Sequence, residues 1–480
     1  MVNNNKIKFG TDGWRAVIAE DFTFANVRIC AQAVADYIKA AEMADKGIVI
    51  GYDTRFGSAD FARASAEVLA GNGIKVYLSE SAVPTPVVSY AVVHLEAGGG
   101  IVITASHNPG SWNGFKYKSP DGASAPAEAV AEIEKRIALV EPERIQPLKL
   151  ETAIKNGLVV LSDFKPAYRL QIDRLIDLSA IRRAGLNIAV DSMHGAGGGY
   201  FKMLLGEGAT SVIEIKGNPN PAFPGMKQPE PIGPNLMELS ETVKRQKAAV
   251  GLATDGDADR LGVMDENGIF ITQLQVYALL ALYFLEVRGQ RGAIVKTITS
   301  TDMLDRLGEL YHVPVFETPV GFKYVAPVML RENALIGGEE SGGYGFRGHV
   351  PERDGLLAGL YFLDLMALTG KTPSQLLAHL YSKVGQHYYD RRDFVFNEPE
   401  RSVIIKRMAD SAPVALDGVK VLRKESSDGF RFLLEDGGWL LVRFSGTEPL
   451  LRIYAESKST ENVQRLLDIG VNMAGVKDSE

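Results

Sequence analysis

The chain has 480 residues, 46% of them hydrophobic, which is too long for one core and predicts three or four domains. A formal charge of −7 and a pI of about 5.7 argue against a surface that attracts nucleic acid as a whole. The one cysteine, Cys30, excludes an intrachain disulfide scaffold and fits a reducing, cytoplasmic compartment. The start of the chain carries no apolar signal core, and no run of about 18 apolar residues marks a membrane span.

Short apolar runs alternate with longer amphipathic segments over roughly the first 380 residues, which predicts α/β units with mostly parallel sheets. Ile48–Ile50 reads as a buried strand ending at Tyr52-Asp53-Thr54-Arg55, Ser58–Ala70 as a helix, Ile74–Leu78 as a strand, and Ile101–Ile103 as a strand that delivers Ser106 to its carboxyl end. The pattern restarts at Asn187–Val190, which leads into Asp191-Ser-Met-His-Gly195-Ala-Gly197, and again at Ala293–Val295. This predicts a threefold repeat of architecture, with the loops after the strands converging on one cleft. The Pro-rich stretch Asn218–Pro234 reads as an ordered loop or an edge crossing. The last hundred residues differ: strands at Val419–Leu422, Phe430–Leu434 and Trp439–Phe444, a hairpin at Glu435–Gly438 and a closing helix at Thr460–Met473 predict a separate α+β domain. The expected boundaries are residues 1–155, 156–267, 268–383 and 384–480.

Asp255-Gly-Asp257-Ala-Asp259-Arg260 places three carboxylates in five residues after an apolar strand. Like charges packed so closely require a cation between them, and hard oxygen ligands suit Mg²⁺. An EF-hand shares the one-three-five spacing, but Arg260 stands where that loop needs glycine, and both flanks read as strands. A solvated acidic turn is the blander alternative.

The segment Thr104-Ala-Ser106-His107-Asn108-Pro109 offers a serine outside any hydrolase elbow. Ser106 is either a weak nucleophile needing activation or a capping residue. Gly337-Gly-Glu339-Glu340-Ser341-Gly-Gly343 combines glycines with groups that match sugar hydroxyls, or is a charged turn. Arg443-Phe-Ser445-Gly446-Thr447-Glu-Pro449, with Arg452, is a phosphate nest or a turn with solvated arginines. Phe9–Arg15 and Asn113–Lys116 are equally open.

The four segments in this order resemble the α-D-phosphohexomutase family of phosphoglucomutases, phosphomannomutases and phosphoglucosamine mutases, over essentially the whole chain. In that resemblance, Thr104–Pro109 matches the phosphoserine loop, Asp255–Arg260 the magnesium loop, Gly337–Gly343 the sugar loop and Arg443–Pro449 the phosphate loop. The implied fold is four domains around a central cleft: three related α/β domains and a C-terminal α+β domain resembling the TATA-box-binding protein. Ser106 would carry the phosphoryl group, with Arg15, His107 and Lys116 beside it and Lys116 favoured for acid/base work. Asp255, Asp257 and Asp259, with the phosphorylated Ser106, would hold Mg²⁺.

By the same resemblance, Arg260, Lys323, Glu339, Ser341 and His349 would contact substrate. Arg443, Ser445, Gly446, Thr447 and Arg452 would hold the non-reacting phosphate. The implied reaction interconverts hexose 1-phosphate and hexose 6-phosphate through a bound hexose 1,6-bisphosphate, which also serves as activator. Glu340, where phosphoglucosamine mutases usually carry glutamine, and the Gly348–Gly355 and Thr318–Lys323 segments resemble the phosphoglucomutase pattern and make glucose 1-phosphate the preferred substrate. A phosphomannomutase or dual phosphoglucomutase/phosphomannomutase is the alternative, ahead of a phosphoglucosamine mutase, because no residue is identified that reads the 2-hydroxyl separating glucose from mannose. The expected assembly is a monomer or homodimer with a small sugar phosphate as its partner and no nucleic acid or membrane. A phosphatase or serine hydrolase using Ser106, and a catalytically silent sugar-phosphate binder, are the competing readings.

Overall fold

A computed structural model of the chain describes residues 7–10, 12–445 and 450–476. It contains four sheets. The first uses β1 (Trp14–Val17), β2 (Ile48–Tyr52), β3 (Val76–Ser79), β4 (Gly100–Ile103), β5 (Trp112–Lys118) and β6 (Val159–Ser162), in the order β1-β5-β4-β2-β3-β6. The second uses β7 (Asn187–Asp191), β8 (Ser211–Ile215), β9 (Val250–Thr254), β10 (Leu261–Met264) and β11 (Phe270–Ile271), in the order β11-β10-β9-β7-β8. The third uses β12 (Ile294–Thr297), β13 (Val315–Thr318), β14 (Ile336–Gly338) and β15 (Tyr344–Phe346), in the order β13-β12-β14-β15.

One pattern recurs in all three. Three parallel strands, β3-β2-β4, β8-β7-β9 and β13-β12-β14, are extended by one antiparallel strand, β5, β10 or β15. The central strands β2, β4, β7 and β9 are largely apolar because helices cover the sheets: β4 reads Gly-Ile-Val-Ile and is wholly buried. The connection into the antiparallel strand is in each case one of the unusual polar loops: 104–111, 255–260 and 339–343. The repeat of architecture is therefore a repeat of the loop that follows the third parallel strand.

The fourth sheet is antiparallel throughout. It runs β16 (Tyr388–Val395), β21 (Leu450–Ser457), β20 (Trp439–Phe444), β19 (Phe430–Leu434), β18 (Val419–Glu425) and β17 (Ala415–Leu416). The helices Glu398–Asp410 and Thr460–Ala474 belong to the same domain, and their Ile404, Met408, Val463, Leu466 and Leu467 share its core.

Two expected boundaries shift. Strand β6 pairs with β3 and so extends the first sheet past residue 155, and β11 pairs with β10 beyond residue 267. The strand expected at Ile74–Leu78 begins at Val76, because Gly73 takes a left-handed turn immediately before Ile74. The second and third domains share one hydrophobic core, which Val49, Val87 and Val102 of the first domain also join and into which the helix Gly355–Thr369 is buried along nearly its whole length. Among the described residues no helix is long and apolar enough to cross a membrane.

Candidate active site

Strand β4 ends at Ile103, and the chain then bends sharply. Ser106 sits in the left-handed region at φ 52°, fully buried, with its amide donating to Thr104 Oγ1 over 2.9 Å. A non-glycine residue in that region costs on the order of 1–2 kcal/mol, so the surrounding contacts impose the turn. From the second domain, Gly256 lies so near that an added Cβ would stand 2.5 Å from the Ser106 carbonyl oxygen. Glycine at 256 is what permits the serine loop and the acidic loop to meet. The Ser106 hydroxyl donates to Asp255 Oδ2 at 2.9 Å.

Asp255, Asp257 and Asp259 are all buried, and one oxygen from each lies within 4.8 Å of the others. Asp255 Oδ1 is held by the amides of Asp259 and Arg260, while Asp257 Oδ1 and Asp259 Oδ1 accept no hydrogen bond. Burial, then the neighbouring Asp259 and Asp257 charges, push the Asp255 carboxyl well above its usual range. Burial likewise raises Asp259, which Arg353 offsets only in part. Asp257 goes the other way: burial would raise it, but Lys116 and the Thr85 hydroxyl, at 2.9 Å and 2.6 Å, hold it low. A compact all-oxygen cluster with orphaned buried acceptors fits a hard divalent cation such as Mg²⁺.

Lys116, on β5, is buried and lies 2.7 Å from Asp12, 2.9 Å from Asp257 and 3.7 Å from Asp259. Burial works to discharge it, but the three carboxylates outweigh that and lift its pKa above the ordinary lysine value. The shift runs opposite to the lowered pKa that a basic Lys116 would need. Arg15 donates to Asn108 Oδ1 at 2.8 Å, which brings it to the serine loop. His107 Nδ1 is 3.5 Å from the Ser106 hydroxyl, at the outer limit of a hydrogen bond. Burial, and then the Arg260, Arg15, Arg55 and Lys116 charges, drive the His107 pKa well below the ordinary histidine value. Arg260 pairs with Glu230 at 2.8 Å.

The 339–343 loop joins the same cluster. Leu261 N–H donates to the Gly342 carbonyl, tying this loop to the exit of the acidic loop. Glu339 is buried and 3.6 Å from Arg353, and burial raises its pKa. Ser341 is half-buried on the same turn. Lys323 lies in the first turn of the helix Phe322–Arg331, its ammonium over the Tyr324 ring, next to the Phe322 that cushions Arg353.

His349 requires correction. Its side chain has no exposed surface: Nε2 lies 3.0 Å from Asp354 Oδ2, and the ring packs against Tyr90 and Tyr168. Asp354 caps the helix Gly355–Thr369, so His349 braces that helix end instead of facing substrate. In the fourth domain, Arg443 and Arg452 are cross-strand partners on β20 and β21, paired with Asp428 and Asp393. Ser445 is buried beside them, and its amide bonds the Leu450 carbonyl. Gly446 and Thr447 lie outside the described residues.

Sequence reasoning passed over three residues that organise this site. Asp12 bonds Lys116 and Arg353. Arg353 reaches Asp12 at 2.6 Å, Asp259 at 3.1 Å and Glu339 at 3.6 Å, so one guanidinium touches residues of all three α/β domains. Arg55 bonds the backbone of the serine loop. Polar residues flanked by glycine, as at Thr11–Gly13 and Arg353–Gly355, were the available signal, but no spacing rule joins them.

The chain matches the phosphoglucomutase/phosphomannomutase alpha/beta/alpha domains I, II and III over residues 6–143, 166–268 and 273–384, and the C-terminal domain over residues 405–470. It is 33% identical over 465 residues to a phosphoglucomutase/phosphomannomutase of Thermococcus kodakarensis, covering 97% of this chain and 98% of that protein. It is 30% identical to a phosphoglucosamine/phosphogalactosamine mutase of Sulfurisphaera tokodaii, covering 95% of this chain and 96% of that one. A protein of Thermus thermophilus, solved as a candidate phosphomannomutase, superposes with a TM-score of 0.85 at 37% identity, over 98% of this chain and 99% of that one. With four domains matched in order and the serine, acidic and 339–343 loops gathered at one site, the chain belongs to the phosphoglucomutase/phosphomannomutase family.

Proposed function

We propose that this phosphohexomutase interconverts hexose 1-phosphate and hexose 6-phosphate, with glucose 1-phosphate preferred, using Ser106 as the phosphoryl carrier and hexose 1,6-bisphosphate as the bound intermediate. The observation that carries this reading is the meeting of the Ser106 hydroxyl with the Asp255–Asp259 cluster under the Lys116 cation. Asp255, Asp257 and Asp259 would hold Mg²⁺, which when bound would supply charge neutralisation for a phosphoryl group on Ser106.

The protein's own groups account for the rest. A hydroxyl of the sugar phosphate attacks the phosphorus, the bond from phosphorus to Ser106 Oγ breaks, the hydroxyl's proton ends on Ser106 Oγ, and the sugar leaves that step with two phosphates. After the bisphosphate turns over in the cleft, Ser106 Oγ attacks the other phosphate, the bond from that phosphorus to the sugar oxygen breaks, and the serine proton passes to the sugar oxygen, which leaves as the hydroxyl of the product monophosphate. Both transfers rest on alignment and cationic stabilisation more than on proton transfer, and Arg15, Lys116 and Arg260 are placed to supply positive charge. Glu339 and Ser341 bind sugar hydroxyls in either orientation. Arg443, Ser445 and Arg452, together with Gly446 and Thr447, take the phosphate that is not reacting, and Lys323 assists from the third domain. Closure of the fourth domain over the cleft keeps water from the phosphoserine.

A hexosamine phosphate is the second reading, favoured by the S. tokodaii relative, a mutase of amino-sugar phosphates. Glucose and mannose differ only at the 2-hydroxyl, and glucosamine carries an amine there. The deciding experiment measures kcat/KM for glucose 1-phosphate, mannose 1-phosphate and glucosamine 1-phosphate side by side. A bias of about tenfold or more to glucose supports the proposal; a comparable bias to glucosamine replaces the substrate but keeps the chemistry.

A further inference from the structure

One guanidinium is committed almost entirely to the backbone of the serine loop. Arg55, buried at the end of β2, donates from Nη2 to the carbonyls of Ser106 and Asn108 at 2.5 and 2.6 Å, and from Nη1 to those of Pro109 and Trp112 at 2.8 and 3.1 Å. Its remaining donor, Nε, bonds Asp53 Oδ2 at 3.0 Å. Asp53 Oδ2 also accepts from the Thr104 hydroxyl at 2.6 Å, and that hydroxyl in turn accepts from the Ser106 amide. The ring closes: Arg55 holds the Ser106 carbonyl directly and the Ser106 amide through Asp53 and Thr104. Both peptide groups of the residue at φ 52° are thereby fixed.

The ring is roofed from the second domain. Phe223, in the Pro-rich loop, is itself buried at φ 46° and lies 5.0 Å from the Arg55 guanidinium, over its ring face. A bulky residue in the left-handed region is rare, so this loop also bears strain to hold its cover in place. A lysine at 55 would keep the charge but could not bond four carbonyls in one plane.

We propose that Arg55 is the positioning residue for phosphoryl transfer: the Arg55–Asp53–Thr104 ring holds Ser106 in its left-handed conformation, so that the phosphoserine faces the sugar hydroxyl and not water. The inference rests on Ser106 being the phosphoryl carrier. Loosening the ring lets the phosphoserine swing. A sugar hydroxyl, held in one place, then loses its alignment, whereas water can approach from many directions. In that leak the phosphorus–Oγ bond breaks, a phosphorus–oxygen bond to water forms, a water proton ends on Oγ, and inorganic phosphate leaves.

The test compares wild type, Arg55→Lys, Thr104→Val, Thr104→Ser and Ser106→Ala, each checked for its melting temperature. Steady-state mutase rates are measured together with inorganic phosphate released per sugar isomerised. Arg55→Lys is expected to lose about 100-fold in kcat with KM changed by less than about threefold, and to release about tenfold more phosphate per turnover. Thr104→Val should move in the same direction, and Thr104→Ser, which keeps the hydroxyl, should restore wild-type values. A loss of folded protein alone would lower activity without moving the phosphate ratio. Arg55→Lys or Thr104→Val with wild-type kcat and ratio, beside an inactive Ser106→Ala, overturns the positioning role but not the reading of Ser106. An active Ser106→Ala overturns both. If Arg55→Lys does not fold, the Thr104 pair decides.

Discussion

Ser106 and Asp255 are 149 residues apart in sequence, and the serine hydroxyl donates to the aspartate over 2.9 Å. Two loops built on the same plan in different domains thus face each other, and the contact joins the candidate nucleophile to the candidate metal cluster. Replacing the hydroxyl should remove the chemistry and leave the fold. Ser106→Ala is expected to lose at least about 10³-fold in kcat while its melting temperature stays near wild type.

The acidic loop makes a metal prediction with two readouts. Calorimetric titration should find one Mg²⁺ per chain for wild type and much weaker binding for Asp257→Asn or Asp259→Asn, whose orphaned oxygens point to a missing ligand. Mg²⁺ at about 100 times its Kd should stabilise wild type by about 2.7 kcal/mol against EDTA. It should leave the variants' melting temperatures nearly unchanged, and EDTA should abolish turnover.

Arg353 compensates Asp12, Asp259, Glu352 and Glu339 in a buried site. Arg353→Met strands those carboxylates, and removing one partner from a buried pair costs about 3–5 kcal/mol. The expected result is a large drop in melting temperature together with loss of activity. Arg353→Lys, which can reach fewer of the four, should fall between the two.

The contact between the third and fourth domains carries a pH dependence. His387 Nδ1 lies 2.8 Å from the buried Glu456, whose Oε1 also accepts from the Asp302 amide in the third domain. Burial opposes charge on His387, but the Glu456 hydrogen bond and charge, with Asp302 farther off, outweigh it and raise its pKa. Its contribution to stability is therefore complete below the unfolded histidine value of about 6.5 and lost as pH rises through the higher folded value. Melting temperature measured from pH 6 upward should fall more steeply for wild type than for His387→Gln. Parallel curves would show that the pair carries no linkage.

Much of this was legible in the sequence where chemistry is local. Three aspartates in five residues announce a charge problem whatever surrounds them, and the apolar runs of the parallel cores are readable because both faces of those sheets are covered. The fourth domain was only half legible. Strand β16, Tyr-Tyr-Asp-Arg-Arg-Asp-Phe-Val, is mostly polar and half-exposed, so no alternation marks it as a partner of β21. Arg55 and Arg353 were illegible for another reason. Arg55 acts on carbonyls 51 to 57 residues away and Arg353 on Asp12, 341 residues away, and nothing in a guanidinium's neighbours in sequence reveals which distant carbonyls or carboxylates the fold brings to it. Lys116 shows the limit most clearly. Its position by the cleft followed from family resemblance, but the direction of its pKa depended on Asp12, which only the folded chain brings within 2.7 Å.

The most direct test of the central claim is a chase of labelled phosphoenzyme. Enzyme phosphorylated with labelled hexose 1,6-bisphosphate is mapped by mass spectrometry, then mixed with glucose 6-phosphate and quenched over time. The account predicts a phosphate of about 80 Da on Ser106 that passes into glucose 1,6-bisphosphate at a rate no slower than kcat. Label on another residue, or label that appears as inorganic phosphate without entering sugar bisphosphate, would contradict it.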